Sequence, residues 1–330
     1  MKIYYLPLEP IEKRYTKQWY TWFKEIFTNE GIEFEYILGE RTENNLHDKF
    51  FLDMKTTFIW KFEQLKKLFK TDINDNDIIF IPDGEFPGLE ALEYYRKFYN
   101  KKFKIVEIWH AGTYDPYDLT TQNSLGRIGS RIEEVLFDIA DLIFVGSNFH
   151  KELIIKNRLV DNDKIIVTGL PANIENIYNK YFRNWNEKDN LIVFGGRLSY
   201  EKGIDIIDRL TNEYKIIKTI ELTKNKKEYY NYLSKSKILL SPAKQETFGY
   251  CPIEAMACGT IPIVPNKLSY VEYVPKQYRY DSEFDIKYML DKFLSNDTSL
   301  KQQKKLVRIV MKYDYKNVIR KMIKWIEKII

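Results

Sequence analysis

The stretch ETFGYCPIEAMACGTIPIV, residues 246–264, decides the fold of the second half of the chain. A short apolar run at residues 238–240 leads into it, and an apolar helix closed by Gly259 fills its middle. A second apolar run begins at Ile261. Strand, helix and strand in this order form the repeating unit of a parallel sheet. The stretch therefore predicts an α/β domain.

Two carboxylates of this stretch, Glu246 and Glu254, flank Gly249. A glycine lets the backbone approach a ligand closely, and the start of a helix presents N–H groups that favour an anion. Carboxylates accept hydrogen bonds and suit vicinal hydroxyls. A ligand that carries both a phosphate and hydroxyls fits this combination, and a nucleotide-sugar carries both.

Length and composition indicate a folded protein of two domains. The chain has 330 residues, 44% of them hydrophobic and 30% charged, with a net charge of +5. This mild excess permits contact with nucleic acid or anionic lipid without requiring either. The two cysteines predict thiols rather than a disulfide framework. With neither a signal peptide nor an apolar run of membrane-spanning length in the sequence, we expect a cytoplasmic protein, or one in the host cytoplasm if the chain is viral.

Apolar runs alternate with amphipathic stretches along the whole chain, which predicts doubly wound α/β architecture. The runs read as strands are residues 3–6, 34–38, 78–81, 105–109, 142–145 and 165–168, then runs near 191, 216, 238 and 261. The pattern loosens between residues 172 and 190, so we predict two Rossmann-like domains, 1–172 and 173–330, with a cleft between them. Residues 318–330 read as an amphipathic helix, which we expect to pack back on the first domain.

A second motif, GGRLSYEKGID, covers residues 195–205. Its glycines lie where a strand becomes a loop, and the cations Arg197 and Lys202 follow. Arginine offers a planar fork for phosphate oxygens, and lysine a point charge. A diphosphate is the natural partner of such a pair.

The two motifs together resemble the retaining glycosyltransferases of family 4, which have the two-domain GT-B fold. The matches are residues 196–205 and 246–259, supported by VGSN at 145–148 and VTGLP at 167–171. The resemblance implies a hexosyl- or pentosyltransferase that uses a nucleotide-sugar donor, by default a UDP-sugar, with retention of configuration.

The resemblance also implies a role for particular residues. Arg197 and Lys202, after Gly196, would hold the donor diphosphate, and Glu254 would bind the ribose hydroxyls. Glu246 would face the transferred sugar as a catalytic residue. Backbone N–H groups would meet the phosphates or the sugar at four positions, Phe248, Gly249, Tyr250 and Cys251.

His110 is the second candidate catalytic residue. It follows the predicted strand 105–109 and precedes Ala111-Gly112-Thr113, which places it at the carboxyl edge of the first sheet. The family often has a histidine there, facing the donor sugar. His47 and His150 are less well placed.

The first domain departs from the family, because the loop after its first strand contains no glycine. We expect Arg14 and Tyr15, with Trp19, to contribute to an acceptor side instead. Two aromatic-basic segments, residues 15–27 and 60–70, can stack bases and neutralise phosphates, although aromatic core residues with solvated lysines are the commoner outcome. The opening residues are also similar to bacteriophage glycosyltransferases, some of which modify hydroxylated bases in DNA.

These observations leave three hypotheses. The first is transfer of a sugar to a hydroxymethylated DNA base, a DNA modification. The second is transfer to an envelope lipid or polysaccharide, with basic segments docked on an anionic membrane. The third is a degenerate transferase kept as a sugar- or nucleic-acid-binding module.

Two Asp-x-Asp patterns, at residues 75–77 and 161–163, match a metal-binding motif of another glycosyltransferase fold. Each lies in a polar segment before a strand, where Asp and Asn favour turn geometry. Because Arg197 and Lys202 can neutralise a diphosphate, we interpret both patterns as turns and expect no metal and no cofactor beyond the donor substrate.

Overall fold

The computed structural model describes residues 1–11, 15–40, 53–223 and 225–330. The candidate acceptor residue Arg14 lies outside these ranges, as does His47. The chain forms two compact units. The first contains Met1–Gly146, Lys151–Thr168 and Ile319–Ile330, and the second contains Ser147–His150 and Gly169–Val318.

The first unit contains six strands: β1 Lys2–Tyr5, β2 Glu33–Tyr36, β3 Ile78–Ile81, β4 Lys104–Trp109, β5 Leu142–Val145 and β6 Ile165–Val167. They form one parallel sheet in the order β2-β1-β3-β4-β5-β6. Every residue of β3 and β5 is buried, as expected for strands whose two faces are both covered. The six strands predicted in this half of the sequence are confirmed.

Six helices alternate with these strands: α1 Tyr15–Asn29, α2 Met54–Leu68, α3 Leu89–Phe98, α4 Leu119–Gln122, α5 Gly126–Ile139 and α6 Asn148–Asn157. The aromatic side of α1 packs on the sheet, where Phe23 contacts Tyr5 and Phe80 with ring centroids 5.2 Å apart in each pair. Burial of such rings is the main favourable contribution to the stability of the unit.

The second unit contains five strands: β7 Asp189–Phe194, β8 Ile216–Lys218, β9 Ser236–Leu240, β10 Ile261–Pro265 and β11 Arg279–Tyr280. They form a parallel sheet in the order β11-β10-β9-β7-β8. The first four were predicted, and the two-residue β11 was not. The remaining helices are α7 Ile174–Tyr181, α8 Ile204–Leu210, α9 Thr219–Leu222, α10 Lys226–Lys235, α11 Tyr250–Ala257, α12 Glu283–Ser295, α13 Leu300–Val310 and α14 Tyr315–Ile326.

The predicted C-terminal amphipathic helix is α14. Its side chains Ile319, Ile323 and Ile326 are buried, whereas Ile330 lies beyond the helix and is exposed. Within the first unit, Arg320 forms an ion pair with Glu30 at 2.7 Å. No helix in the described part of the chain combines the length and the apolarity needed to cross a bilayer.

Candidate donor site

The sheet of the second unit reverses its direction of winding between β7 and β9. The chain passes from β7 to β8 on one side, and β9, β10 and β11 follow on the other. Loops that leave the carboxyl ends of two such strands diverge and form a crevice, which is where open α/β sheets bind ligands. The loop after β7 carries Arg197 and Lys202, and the loop after β9 carries Glu246.

The two sequence motifs meet at this crevice. The Lys202 ammonium donates to the Gln245 carbonyl at 3.0 Å and contacts the Glu246 carboxylate at 3.2 Å. Both side chains are half-buried, so the pair is less screened than a surface ion pair. A cation of one motif is therefore held by the carboxylate of the other.

Arg197 lies on the same loop as Lys202 and is more exposed. Its guanidinium forms an ion pair with Glu201 at 3.1 Å. The Glu201 carbonyl in turn accepts the backbone N–H of Lys244 at 2.8 Å, which ties this loop to the loop after β9. The loops that carry Arg197 and Glu246 are thus joined through main-chain hydrogen bonds.

Gly249 is the residue directly before α11, and its backbone lies in the left-handed region with φ of 87°. A Cβ atom there would collide with the Tyr273 hydroxyl, which donates to the Gly249 carbonyl at 3.2 Å. Only glycine fits this corner. The first turn of α11 follows it, and the N–H groups of a first turn have no partner within their helix.

Glu254, on α11, is 2% exposed. One of its carboxylate oxygens accepts from the Lys226 ammonium at 2.7 Å and from the Tyr230 hydroxyl at 3.0 Å. The other oxygen, Oε2, is buried and has no hydrogen-bond partner among the described residues. A buried acceptor without a donor is costly. An incoming hydroxyl group would satisfy it.

Lys226 and Tyr230 were not identified from the sequence. They lie on α10, more than twenty residues before Glu254, in a lysine-rich stretch without regular spacing. The signal available was the pair of tyrosines at 229 and 230, whose rings Lys226 also approaches at 4.9 and 5.5 Å.

The remaining donor-side candidates surround these groups. The Cys251 thiol donates to the Gly195 carbonyl at 3.2 Å, and burial raises the pKa of the thiol to about 11. The Phe248 ring is buried and packs against Tyr250 and Tyr313, each with centroids 5.1 Å apart. A Cβ at Gly196 would press on the Phe194 ring.

His110 follows β4 in the first unit. Its Nε2 lies 2.8 Å from the Pro82 carbonyl, which can only accept, so Nε2 carries the proton. The imidazole ring packs beside Tyr15 and Trp19, with centroids 5.5 and 5.2 Å away. Trp19 is 2% exposed. Tyr15 and Trp19, the two aromatic candidates for the acceptor side, therefore both contact His110. Of these two, Trp19 is a core residue.

The two aromatic-basic segments differ in the exposure of their rings, since Phe62 and Phe69 of the second segment are exposed. Trp22 and Phe23 of α1 and Trp60 of α2 are buried, while Lys24 and Lys66 are exposed. Lys61 is an exception, since its buried ammonium pairs with Asp83 at 2.7 Å. Residues 15–27 therefore match the commoner outcome of such segments, a core face with solvated lysines, whereas residues 60–70 keep two exposed rings among their lysines.

Both Asp-x-Asp patterns have carboxylates engaged with the backbone. Asp77 accepts the N–H of Lys2 at 3.0 Å, and Asp161 accepts the N–H of Asp163 at 2.9 Å. Among residues 1–11, 15–40, 53–223 and 225–330, no group of three or more potential ligands is placed to hold a metal ion.

Two doubly wound parallel sheets place the protein in the GT-B class of folds. Sucrose-phosphate synthase from Thermosynechococcus elongatus superposes with a TM-score of 0.69 at 11% identity, covering 99% of this chain and 98% of that one. An alpha-glucosyltransferase solved with UDP-glucose and DNA containing an abasic site gives 0.60 at 15% identity, covering 99% of each chain. At such identities the likeness concerns the fold.

Sequence similarity to known glycosyltransferases is found mainly in the second unit. Residues 207–306 match the family described as glycosyl transferases group 1. A tRNA-queuosine alpha-mannosyltransferase of Drosophila melanogaster is 42% identical over 57 residues, which are 17% of this chain and 15% of that protein. Putative glycosyltransferase 41 of a Sulfolobus islandicus filamentous virus is 26% identical over 163 residues, 42% of this chain. The match spans half the length of the viral protein.

Proposed function

We propose that this protein is a glycosyltransferase that moves a sugar from a nucleoside-diphosphate donor, by default a UDP-sugar, to an acceptor hydroxyl. The observation that carries the proposal is the contact between Lys202 and Glu246 at the switch point of the second sheet. It joins a phosphate-binding cation to a hydroxyl-binding carboxylate, and a nucleotide-sugar needs both.

Each donor group has a proposed partner in the site. The diphosphate binds to Lys202 and Arg197 and to the N–H groups of the first turn of α11. The ribose hydroxyls take the unpaired oxygen of Glu254, which Lys226 and Tyr230 hold in place. Glu246 accepts from the hydroxyls of the transferred sugar.

The chemical step places negative charge on the departing diphosphate. Lys202, Arg197 and the start of α11 stabilise that charge, and electrostatic stabilisation of this kind is usually the largest contribution to catalysis. We propose retention of the anomeric configuration by front-face displacement, which needs no covalent nucleophile. His110 of the first unit is proposed to face the donor sugar.

For the acceptor, we propose a hydroxyl carried by nucleic acid as the first class to test, with a hydroxymethylated DNA base as the leading candidate. Two relatives support this choice by their names: one was solved with DNA, and the other is a tRNA-queuosine mannosyltransferase. An envelope lipid or polysaccharide is the alternative acceptor.

The double variant Arg197→Ala/Lys202→Ala tests the donor chemistry. Turnover, followed as release of the nucleoside diphosphate, should fall by about 100-fold to 1000-fold, the size of effect seen when one charge-stabilising donor is removed. The matched control is Lys215→Ala/Lys292→Ala, which removes two exposed cations of the same unit outside the crevice. Equal turnover in both double variants would contradict the proposal.

The acceptor is tested by offering the protein a panel of nucleotide-sugars together with hydroxymethylated DNA, unmodified DNA, RNA or lipid extract. Release of diphosphate that requires hydroxymethylated DNA would support the leading candidate. Release that requires lipid extract would replace it with the envelope alternative. Binding of nucleotide-sugar without release on any acceptor would favour the degenerate binding module.

A further inference from the structure

The positive charge of this protein is concentrated near the end of the sequence. Residues 300–330 contain ten Lys and Arg against two Asp and Glu, a net charge of +8. The whole chain carries +5, so residues 1–299 sum to −3. The net positive charge of the chain therefore comes from the segment 300–330, which contains α13 and α14, and the rest of the chain is slightly acidic.

Helix α13 arranges its cations along one side. Lys301, Lys304, Lys305 and Arg308 recur at the three- and four-residue spacing of one helical face, and all four are exposed. The opposite side, with Leu306, Val307 and Val310, is buried. The sequence contains no acidic residue between positions 298 and 313. We call these four residues the α13 stripe.

The α13 stripe is not neutralised by its surroundings. None of its four side chains forms an ion pair or a side-chain hydrogen bond with any residue that the structure describes. By contrast, Lys202, Lys226, Lys244 and Lys287 of the same unit all pair with carboxylates. Four like charges within about two turns repel one another, and a polyanion would relieve that repulsion.

Helix α13 also leads toward the donor site. At its start, the Gln303 side chain donates to the carbonyls of Gly259 and Arg183, beyond the far end of α11. Beyond its end, the Tyr313 ring packs on Phe248, two residues from Glu246. A linear polyanion lying on the stripe would thus run alongside the second unit from the far end of α11 to the edge that carries the donor motifs.

We propose that the α13 stripe binds the sugar-phosphate backbone of a nucleic acid. Over about 10 Å of helix the stripe presents four cations, and duplex DNA presents about six phosphate charges over that length. The binding goes beyond the proposed transfer reaction, because it requires neither a nucleotide-sugar nor an intact donor site.

The buried apolar side of α13 favours nucleic acid over a bilayer. A helix that lies in a membrane interface inserts apolar side chains between the lipids. Here those side chains are in the core, and only Leu300, at the first residue of the helix, is an exposed apolar group. Contact limited to charges is the mode of binding to a phosphate backbone.

The test uses the full chain and the quadruple variant Lys301→Gln, Lys304→Gln, Lys305→Gln, Arg308→Gln. The matched control removes the same charge from separate exposed positions of the first unit, outside the two aromatic-basic segments: Lys55→Gln, Lys97→Gln, Lys102→Gln, Lys156→Gln. Binding of labelled duplex DNA and labelled single-stranded RNA is followed by fluorescence anisotropy over a range of salt concentrations. Circular dichroism confirms that each variant is folded, and the single variant Lys305→Gln provides a milder test.

The quadruple variant should bind at least about tenfold more weakly than the control variant, and the slope of log K against log salt should fall by roughly 3 to 4. Loss with DNA alone or RNA alone identifies the source of the backbone. Glu246→Gln should leave this binding unchanged while it reduces diphosphate release, which separates failure of this proposal from failure of the proposed function. Equal loss in both quadruple variants, or binding of the wild-type protein only to anionic lipid vesicles, would overturn the proposal.

Discussion

The carboxyl edges of the two sheets are built in different ways. In the second unit, the edge is formed by glycine turns and polar side chains that touch across loops, as Lys202 and Glu246 do. At His110 in the first unit, the edge is formed by core packing, with the imidazole set against Tyr15 and the buried Trp19. The first kind of edge depends on backbone conformation, and the second on side-chain volume.

This difference explains why the glycine-based edge carries a sequence motif and the region around His110 does not. A close approach of the backbone demands glycine at a fixed position, so it leaves a motif. A packed edge accepts many combinations of apolar residues with the same total volume, so it leaves no motif. The two units should therefore respond differently to the same kind of substitution.

The largest difference between the units should appear in the stability and turnover lost when a glycine is replaced by alanine. Gly249 and Gly31 both have positive φ, 87° and 76°, but a Cβ at Gly249 meets Tyr273 whereas one at Gly31 meets nothing within 4 Å. Gly249→Ala should lower the free energy of unfolding by about 2–5 kcal/mol through strain and overpacking. A displaced loop should also cut turnover by about 100-fold. Denaturant unfolding and diphosphate release measure the two effects.

Gly31→Ala is the matched control for this prediction. It carries the cost of a left-handed alanine alone, about 1–2 kcal/mol, and should leave turnover unchanged. If both variants lose the same stability and the same activity, the contact of a Cβ at position 249 with Tyr273 is not what makes Gly249 necessary.

The second unit should gain stability as pH rises, because of Lys188. This ammonium is buried, donates to the Ser234 carbonyl at 2.7 Å, and has its pKa lowered to about 7 by burial. Between that value and the ordinary value of 10.5, the unfolded chain binds the extra proton, so the free energy of unfolding rises by up to about 1.4 kcal/mol per pH unit. Denaturant unfolding across this range should show the rise in the wild-type protein and not in Lys188→Met.

Lys180→Met is the control for Lys188, since Lys180 is exposed on the neighbouring helix α7. The pH dependence of its unfolding should match that of the wild-type protein. An unchanged slope in Lys188→Met would show that this lysine stays protonated in the folded chain.

The first unit should respond to pH in the opposite direction through Glu107. Glu107 is fully buried on β4, and neither carboxyl oxygen has a hydrogen-bond partner within the described ranges. Burial raises its pKa well above the ordinary value, against an opposing influence of Lys61. The folded chain then holds a proton that the unfolded chain releases, so stability falls as pH rises above about 4.5 toward the raised pKa.

Glu107→Gln should remove this pH dependence and raise the free energy of unfolding by about 1 kcal/mol at neutral pH. Thermal unfolding measured at acidic and at neutral pH checks the prediction, with the exposed Glu90→Gln as control. A variant that is less stable than the wild-type protein at neutral pH would mean that the Glu107 carboxyl is ionised and paired in the folded chain.

The sequence predicted most strands because parallel strands buried on both faces must be continuous apolar runs. It did not predict β11, because two residues carry no periodicity. Arg197, Lys202, Glu246 and Glu254 could be proposed because they lie in contiguous motifs around required glycines. Lys226, Tyr230 and Tyr273 could not, because only folding brings them to Glu254 and Gly249. The lack of hydrogen-bond partners for Glu107 among the described residues was equally invisible, since only folding determines which side chains face it.

In the proposed donor site, the cation proposed for the phosphate and the carboxylate proposed for the sugar are paired with each other. The Glu246 carboxylate contacts the Lys202 ammonium directly. A simple anion such as inorganic phosphate could take Lys202 only by weakening this half-buried contact and leaving Glu246 with the Phe248 backbone N–H at 3.5 Å, and that cost opposes its binding. A ligand that brings a phosphate for the lysine and a hydroxyl for the glutamate satisfies both groups at once. Selectivity against free phosphate would then come from the Lys202–Glu246 contact that a simple anion has to break.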